Sequence, residues 1–98
     1  MLVITSFADR ATAALYDGRV AAARRIPAVI RASAVRKLDL LEAATSLQDL
    51  RSPPGNRLEA LSGDRSGCHS IRINQQWRIV FRWVQGEAHE VEIVDYHD

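Results

Sequence analysis

The chain has 98 residues, enough for a single domain spanning residues 1–98 with one core. At 47% hydrophobic and 26% charged it has the make-up of a folded globular protein, which excludes disordered, collagen-like and disulfide-stapled classes. A net charge of +1 excludes a uniformly basic chain, but the total conceals a strong asymmetry. Residues 1–50 carry a net of +2. Residues 51–82 carry six arginines (Arg51, Arg57, Arg65, Arg72, Arg78, Arg82) against Glu59 and Asp64, a net of +4. Residues 83–98 carry five acids and no base. A basic stretch able to hold phosphate therefore precedes an acidic end. Cys68 is the single cysteine, so no internal disulfide forms and a reducing compartment is expected. The N-terminus lacks the basic and apolar regions of a signal peptide, and no apolar run approaches the roughly 18–20 residues of a membrane span. A cytoplasmic location, away from the membrane, is the expectation.

In chain order, Leu2-Val3-Ile4 is an apolar run fit for a first strand. Residues from Ala8 to Tyr16 read as a short helix stopped by Asp17-Gly18. After Pro27, the residues Ile30, Ala34, Leu38 and Leu41 recur at helical spacing, which predicts an amphipathic helix of roughly 17 residues with Arg31, Arg36, Asp39 and Glu42 turned outward. Ser46-Leu47-Gln48-Asp49 has the form of a capping box opening one more helical turn, and Ser52-Pro53-Pro54-Gly55-Asn56 reads as a loop.

Beyond that loop the period changes from 3.6 to 2. Arg57–Leu61 alternates, Gly63-Asp64 breaks the run, and His69–Ile73 alternates again. Asn74-Gln75-Gln76 turns the chain. Trp77, Ile79, Phe81 and Trp83 then share one face, with Arg78, Val80 and Arg82 on the other. For the last hairpin, a two-residue loop at Gln85-Gly86 would set Phe81 opposite Glu90 and Ile79 opposite Glu92. A three-residue loop sets Phe81 opposite Val91, Ile79 opposite Ile93 and Arg82 opposite Glu90, and brings Trp77 close to Asp95. Because a one-residue slip inverts the faces, the second register is predicted. Helices first and strands after predict an α+β fold.

The stretches Pro53–Leu61, Gly63-Asp64-Arg65, Ser70–Asn74, Gln76–Phe81 and Val91–His97 resemble the host-inhibition-of-growth (HigB-like, plasmid-maintenance killer) toxins of the RelE/ParE superfamily. The likeness runs through most of residues 37–97. It implies two N-terminal helices packed on a twisted, mainly antiparallel sheet. It also implies a type II toxin that cuts mRNA in the ribosomal A site without metal or cofactor, with the ribosome, mRNA and a cognate helix-turn-helix antitoxin as partners. Relatives carrying a Lys at the position of Ser62 or a His at that of Glu59 use those side chains on RNA; this chain has neither, so arginine must carry more of the binding. His69 stands where an aromatic is common.

Metal-free RNA cleavage needs a base for the 2′-OH, a cation for the phosphorane and an acid for the leaving 5′-oxygen. The resemblance places this chemistry at Asp95-Tyr96-His97, with His97 as general acid or base, Asp95 positioning it or taking the proton itself, and Tyr96 on a base or the phosphate. Which of the three is acid and which base stays open. Arg78 is the leading phosphate stabiliser, because a guanidinium stays charged and forks onto two oxygens. Arg72 follows, then Arg57, Arg65, Glu59 and Asn74 as residues facing RNA. The plainer alternatives are an ordinary chain terminus, arginines paired with acids across strands, and Trp77 and Trp83 in the core. Arg82 belongs with the structural arginines. His69, His89 and His97 are too scattered for a metal site. Two other functions are compatible with the fold: a gyrase poison without nuclease activity, and a decayed toxin that retains only antitoxin binding.

Overall fold

The helix signals and their stops are realised nearly residue for residue. In the computed structural model, which describes residues 2–96, α1 spans Arg10–Tyr16 and α2 spans Ala28–Ala43. Gly18 follows α1 with φ at +82°, the left-handed stop expected of glycine. α2 buries Ile30, Ala34, Leu38 and Leu41, the predicted stripe. No helix among the described residues is long and apolar enough to cross a membrane.

Three of the four polar residues predicted to face outward on α2 bind groups outside the helix. Asp39 accepts the Tyr16 hydroxyl at 3.0 Å. Arg31 Nε donates to the carbonyl of Ile26 at 2.9 Å. The carboxylate of Glu42 accepts the N–H groups of Val3 at 2.7 Å and Ile4 at 2.8 Å. That bond corrects the expected first strand. With two consecutive N–H groups drawn to Glu42, residues 2–8 form only isolated parallel bridges, Ile4 with Ala88 and Phe7 with Val91.

Between α2 and the sheet the backbone tightens into two 3-10 turns, Leu47–Arg51 and Pro54–Asn56. At the first, the Asp49 carboxylate accepts the N–H of Thr45 at 2.8 Å, the Thr45 hydroxyl at 2.8 Å and the N–H of Ser46 at 3.2 Å. Those bonds, the Thr45 N–H foremost, hold the Asp49 carboxyl below its ordinary range. The second turn corrects the expectation of a plain loop. Asn56 is buried within it and donates to the carbonyls of Leu50 at 3.1 Å and Ser52 at 3.2 Å, while its Oδ1 accepts from Lys37 Nζ.

Four strands follow: β1 (Glu59–Ala60), β2 (Cys68–Arg72), β3 (Trp77–Val84) and β4 (Glu87–Asp95), antiparallel and in sequence order across the sheet. β1 is shorter than the alternation of Arg57–Leu61 predicted. The helices cover the face bearing Ile71, Ile79, Phe81, Val91 and Ile93, all fully buried. The outer edge of β4 is closed as well: Ile93 N–H donates to Thr12 Oγ1 at 3.0 Å, and Arg25 Nη2 to the Ile93 carbonyl at 2.7 Å.

The last hairpin uses both registers that the sequence offered as alternatives. Near the turn the loop has two residues, with Val84 opposite Glu87, Trp83 opposite Ala88 and Arg82 opposite His89. A bulge between Val80 and Arg82 then shifts the pairing, so that Ile79 meets Ile93 and Trp77 meets Asp95 as predicted. The three-residue loop and the Arg82–Glu90 cross-strand pairing are therefore corrected, although Arg82 Nε still lies 3.9 Å from a Glu90 oxygen. One register need not hold along a whole hairpin when a bulge can add a residue to one strand. Gln85 and Gly86 have φ of 49° and 81°, as a primed two-residue turn requires, and Glu90 at φ 53° absorbs the extra residue. The Ser6 hydroxyl accepts the Glu90 N–H at 2.8 Å, so the N-terminal segment fits onto the bulge.

Candidate active site

The face of the sheet turned away from the helices brings the basic residues together. β2 and β3 pair with Arg72 directly opposite Arg78, and β1 and β2 pair with Glu59 opposite Ser70. Strand alternation puts all four on one face. Like charges directly opposite one another destabilise a sheet, and here the Glu59 carboxylate lies beside the pair as a counter-charge.

Arg78 is held more tightly than a surface arginine would be. It is 7% exposed. Its Nε donates to Ser70 Oγ at 2.8 Å, its Nη2 to the carbonyl of Arg57 at 2.5 Å, and its Nη1 pairs with Glu59 Oε1 at 3.1 Å. The guanidinium is thus fixed in plane and position before any ligand arrives. Ser70 was not singled out in the sequence because alternation placed it on the solvent face; the 3-10 turn at residues 54–56 packs beside β2 and hides it. Arg57 supplies its carbonyl from a left-handed conformation, φ 44°.

The turn between β2 and β3 is built on Asn74, whose Oδ1 accepts the N–H groups of Gln76 at 2.8 Å and Trp77 at 2.7 Å while its carbonyl accepts from Arg72 Nε at 3.0 Å. The same turn anchors the end of the chain. Tyr96 N–H donates to the Gln76 carbonyl at 2.7 Å, and the Tyr96 ring lies 5.7 Å from the Arg78 guanidinium carbon in a cation–π arrangement. These elements enclose a polar cleft of about 220 Å³ lined by Arg57, Glu59, Arg72, Asn74, Gln75, Arg78 and Tyr96.

Six of the nine residues singled out from sequence therefore meet in one place: Arg57, Glu59, Arg72, Asn74, Arg78 and Tyr96. Asp95 does not line the cleft. It is the register partner of Trp77, which sets it on the helix-covered face, and its carboxylate accepts from Gln76 Nε2 at 3.1 Å. Arg65 lies apart, 3.9 Å from Glu92. His97 lies outside the described residues. Gln75 is an addition, and nothing in its sequence context distinguished it from the rest of the turn. Trp77 and Trp83 pack against the core as predicted, and His69 stacks on Phe81 at 6.3 Å. Among the described residues, no three His, Cys, Asp or Glu side chains are grouped so as to hold a metal ion.

What this arrangement can do chemically is bind one phosphate between two guanidinia, with a carboxylate and a phenol at its margin. Comparison with known proteins gives the chain a family. The family model described as the RelE-like toxin HigB of type II toxin–antitoxin systems matches residues 5–97. Toxin HigB-1 of Vibrio cholerae serotype O1 is 51% identical over 65 residues, 66% of this chain and 68% of that protein. Endoribonuclease HigB of Proteus vulgaris is 34% identical over 61 residues, 62% of this chain and 65% of that protein. Among solved structures, the YoeB–YefM complex from Staphylococcus aureus superimposes with a TM-score of 0.55 at 19% identity, covering 100% of this chain and 99% of that one; that likeness concerns the fold. On a match of this extent, the chain belongs to the HigB-like family of RelE-type toxins from type II toxin–antitoxin systems.

Proposed function

We propose that the chain is an mRNA endoribonuclease that works on the translating ribosome, cuts mRNA in the A site and is neutralised by a cognate helix-turn-helix antitoxin. The observation that carries this reading is the pairing of Arg72 with Arg78 in a cleft that also holds Glu59 and Tyr96. The relative named as an endoribonuclease supports the same activity. Because the ribosome and its mRNA are in the cytoplasm, the toxin acts there.

The chemistry divides among the residues as follows. A non-bridging oxygen of the scissile phosphate replaces Glu59 at Arg78 Nη1, and Arg72 takes the second oxygen from across the strand pair. The displaced Glu59 carboxylate, the only one among the described residues lining the cleft, accepts the proton of the 2′-OH. The 2′-oxygen attacks phosphorus, the guanidinia stabilise the dianionic phosphorane, and the bond to the 5′-oxygen breaks. His97 donates the proton that the leaving oxygen needs, its imidazole being suited to proton transfer near neutrality. Tyr96 packs against Arg78 and offers its ring to a base. Asp95, tied to Gln76, positions the residues that follow it. Arg57, Arg65 and Asn74 face the RNA backbone. Since these groups supply base, acid and cation, no step requires a metal.

The test is a reconstituted translation reaction. Adding the purified protein should yield mRNA fragments ending within A-site codons, and only while ribosomes are translating. Intact mRNA would overturn the nuclease reading, and inhibition of gyrase in a supercoiling assay would transfer the protein to the gyrase-poison class. Equal cutting of naked RNA would remove the ribosome from the account.

A further inference from the structure

A second cavity lies apart from the cleft that holds the chemistry. It has a volume of about 380 Å³ and lies on the other side of the β1–β2 edge. Leu58, Ala60 and His69 line it, and alternation turns these away from the face that carries Glu59 and Ser70. Arg57 lines both cavities, which makes them neighbours at the start of β1.

Its chemistry is mixed in a specific way. Leu47, Leu58 and Pro54 give apolar walls, while Gln48, Arg51 and Arg57 give polar groups, with two guanidinia and no carboxylate among the lining residues. The His69 ring is fixed by stacking on Phe81. Its Nδ1 is buried and closed to a ligand, so the ring meets the cavity through its remaining surface. Apolar walls, an imidazole and an amide suit the face and edge of a nucleobase, and paired arginines suit its phosphate. The volume falls within the roughly 300–1,000 Å³ of small-molecule sites. An acidic peptide would also meet the arginines, but it would leave the apolar walls unexplained.

We infer that this cavity is a nucleotide subsite. It takes the base of an mRNA nucleotide beside the one that is cut, with Arg51 and Arg57 on the phosphate and with Gln48 and His69 reading the base edge. The inference rests on the endoribonuclease reading and gives it a determinant of sequence preference outside the cleft.

The experiment uses a short 2′-O-methyl RNA, which cannot be cleaved, titrated into the isotope-labelled full chain while NMR signals from both places are followed. Signals of His69, Leu47 and Leu58 should shift together with those of Arg72 and Arg78. Arg51→Ala should weaken binding roughly tenfold and lower the slope of log affinity against log salt by about 0.7, the share of one phosphate contact on a single strand. In the translation assay, Gln48→Ala should alter the base preference flanking the cut; an unchanged preference would overturn its contact with the base. Shifts confined to Arg72 and Arg78, with Arg51→Ala binding like wild type, would overturn the subsite and leave the cleft standing. Shifts at His69 produced by the antitoxin but not by RNA would also overturn it. No shift in either place would overturn the subsite, while the nuclease reading, which requires the ribosome, stands or falls on the translation reaction.

Discussion

Replacing Arg78 with lysine is expected to slow mRNA cleavage on the order of 10²–10³-fold while the protein remains folded. Lysine keeps the positive charge but not the planar fork, so it cannot hold a phosphate oxygen and the Ser70–Arg57 anchor together. Loss of one preorganised donor at a developing anion has an effect of about that size. The variant should also lose stability, by about 1–3 kcal/mol, because the buried Ser70 hydroxyl and the Arg57 carbonyl lose a donor. Circular dichroism and thermal melting separate the two effects. A folded variant cutting at the wild-type rate would move phosphate binding elsewhere, with Arg72 the first candidate.

The second large effect is expected at Glu59. Glu59→Gln keeps the shape and can still meet Arg78 Nη1, but an amide does not take a proton. Cleavage in a single turnover should fall about 10²–10⁴-fold, the usual contribution of a positioned general base. Binding to the programmed ribosome should hold or tighten, since Arg78 no longer faces a competing carboxylate at 3.1 Å. A fall in kcat with an unchanged or lower KM is the signature to look for. If the rate survives, proton abstraction belongs to the terminal residues, and Glu59 merely orients Arg78.

These two residues also show how much of the site was legible beforehand. Arg78 was identified as the phosphate stabiliser from its place beside Trp77 on the alternating strand, and its position in the cleft agrees with that placement. Its burial was not legible, because it depends on Ser70 and on a backbone carbonyl twenty-one residues away, contacts for which a periodicity has no symbol. Glu59 was tied to RNA through the family likeness alone; its bond to Arg78 follows from the β1–β2 register, which two residues of β1 do not reveal. The α2 stripe was fully legible, since one strong period decided it. The last hairpin was legible only at its far end, where Ile79 meets Ile93 and Trp77 meets Asp95. The apolar pairs decided one register for the whole hairpin, whereas the turn takes the other, and a bulge at Glu90 lets both hold. Glu42 shows the reverse limit: a carboxylate on the outer side of a helix read as solvated, yet it caps the N-terminal segment.

If the cleft between β2 and β3 drives a 2′-oxygen into the adjacent phosphate, the ends left on the cut mRNA record it. One fragment should carry a 2′,3′-cyclic phosphate or its 3′-phosphate product and the other a 5′-hydroxyl, with no cutting where the nucleotide before the break is 2′-deoxy. Fragments ending in a 3′-hydroxyl and a 5′-phosphate, or cutting that tolerates the deoxy position, would contradict it.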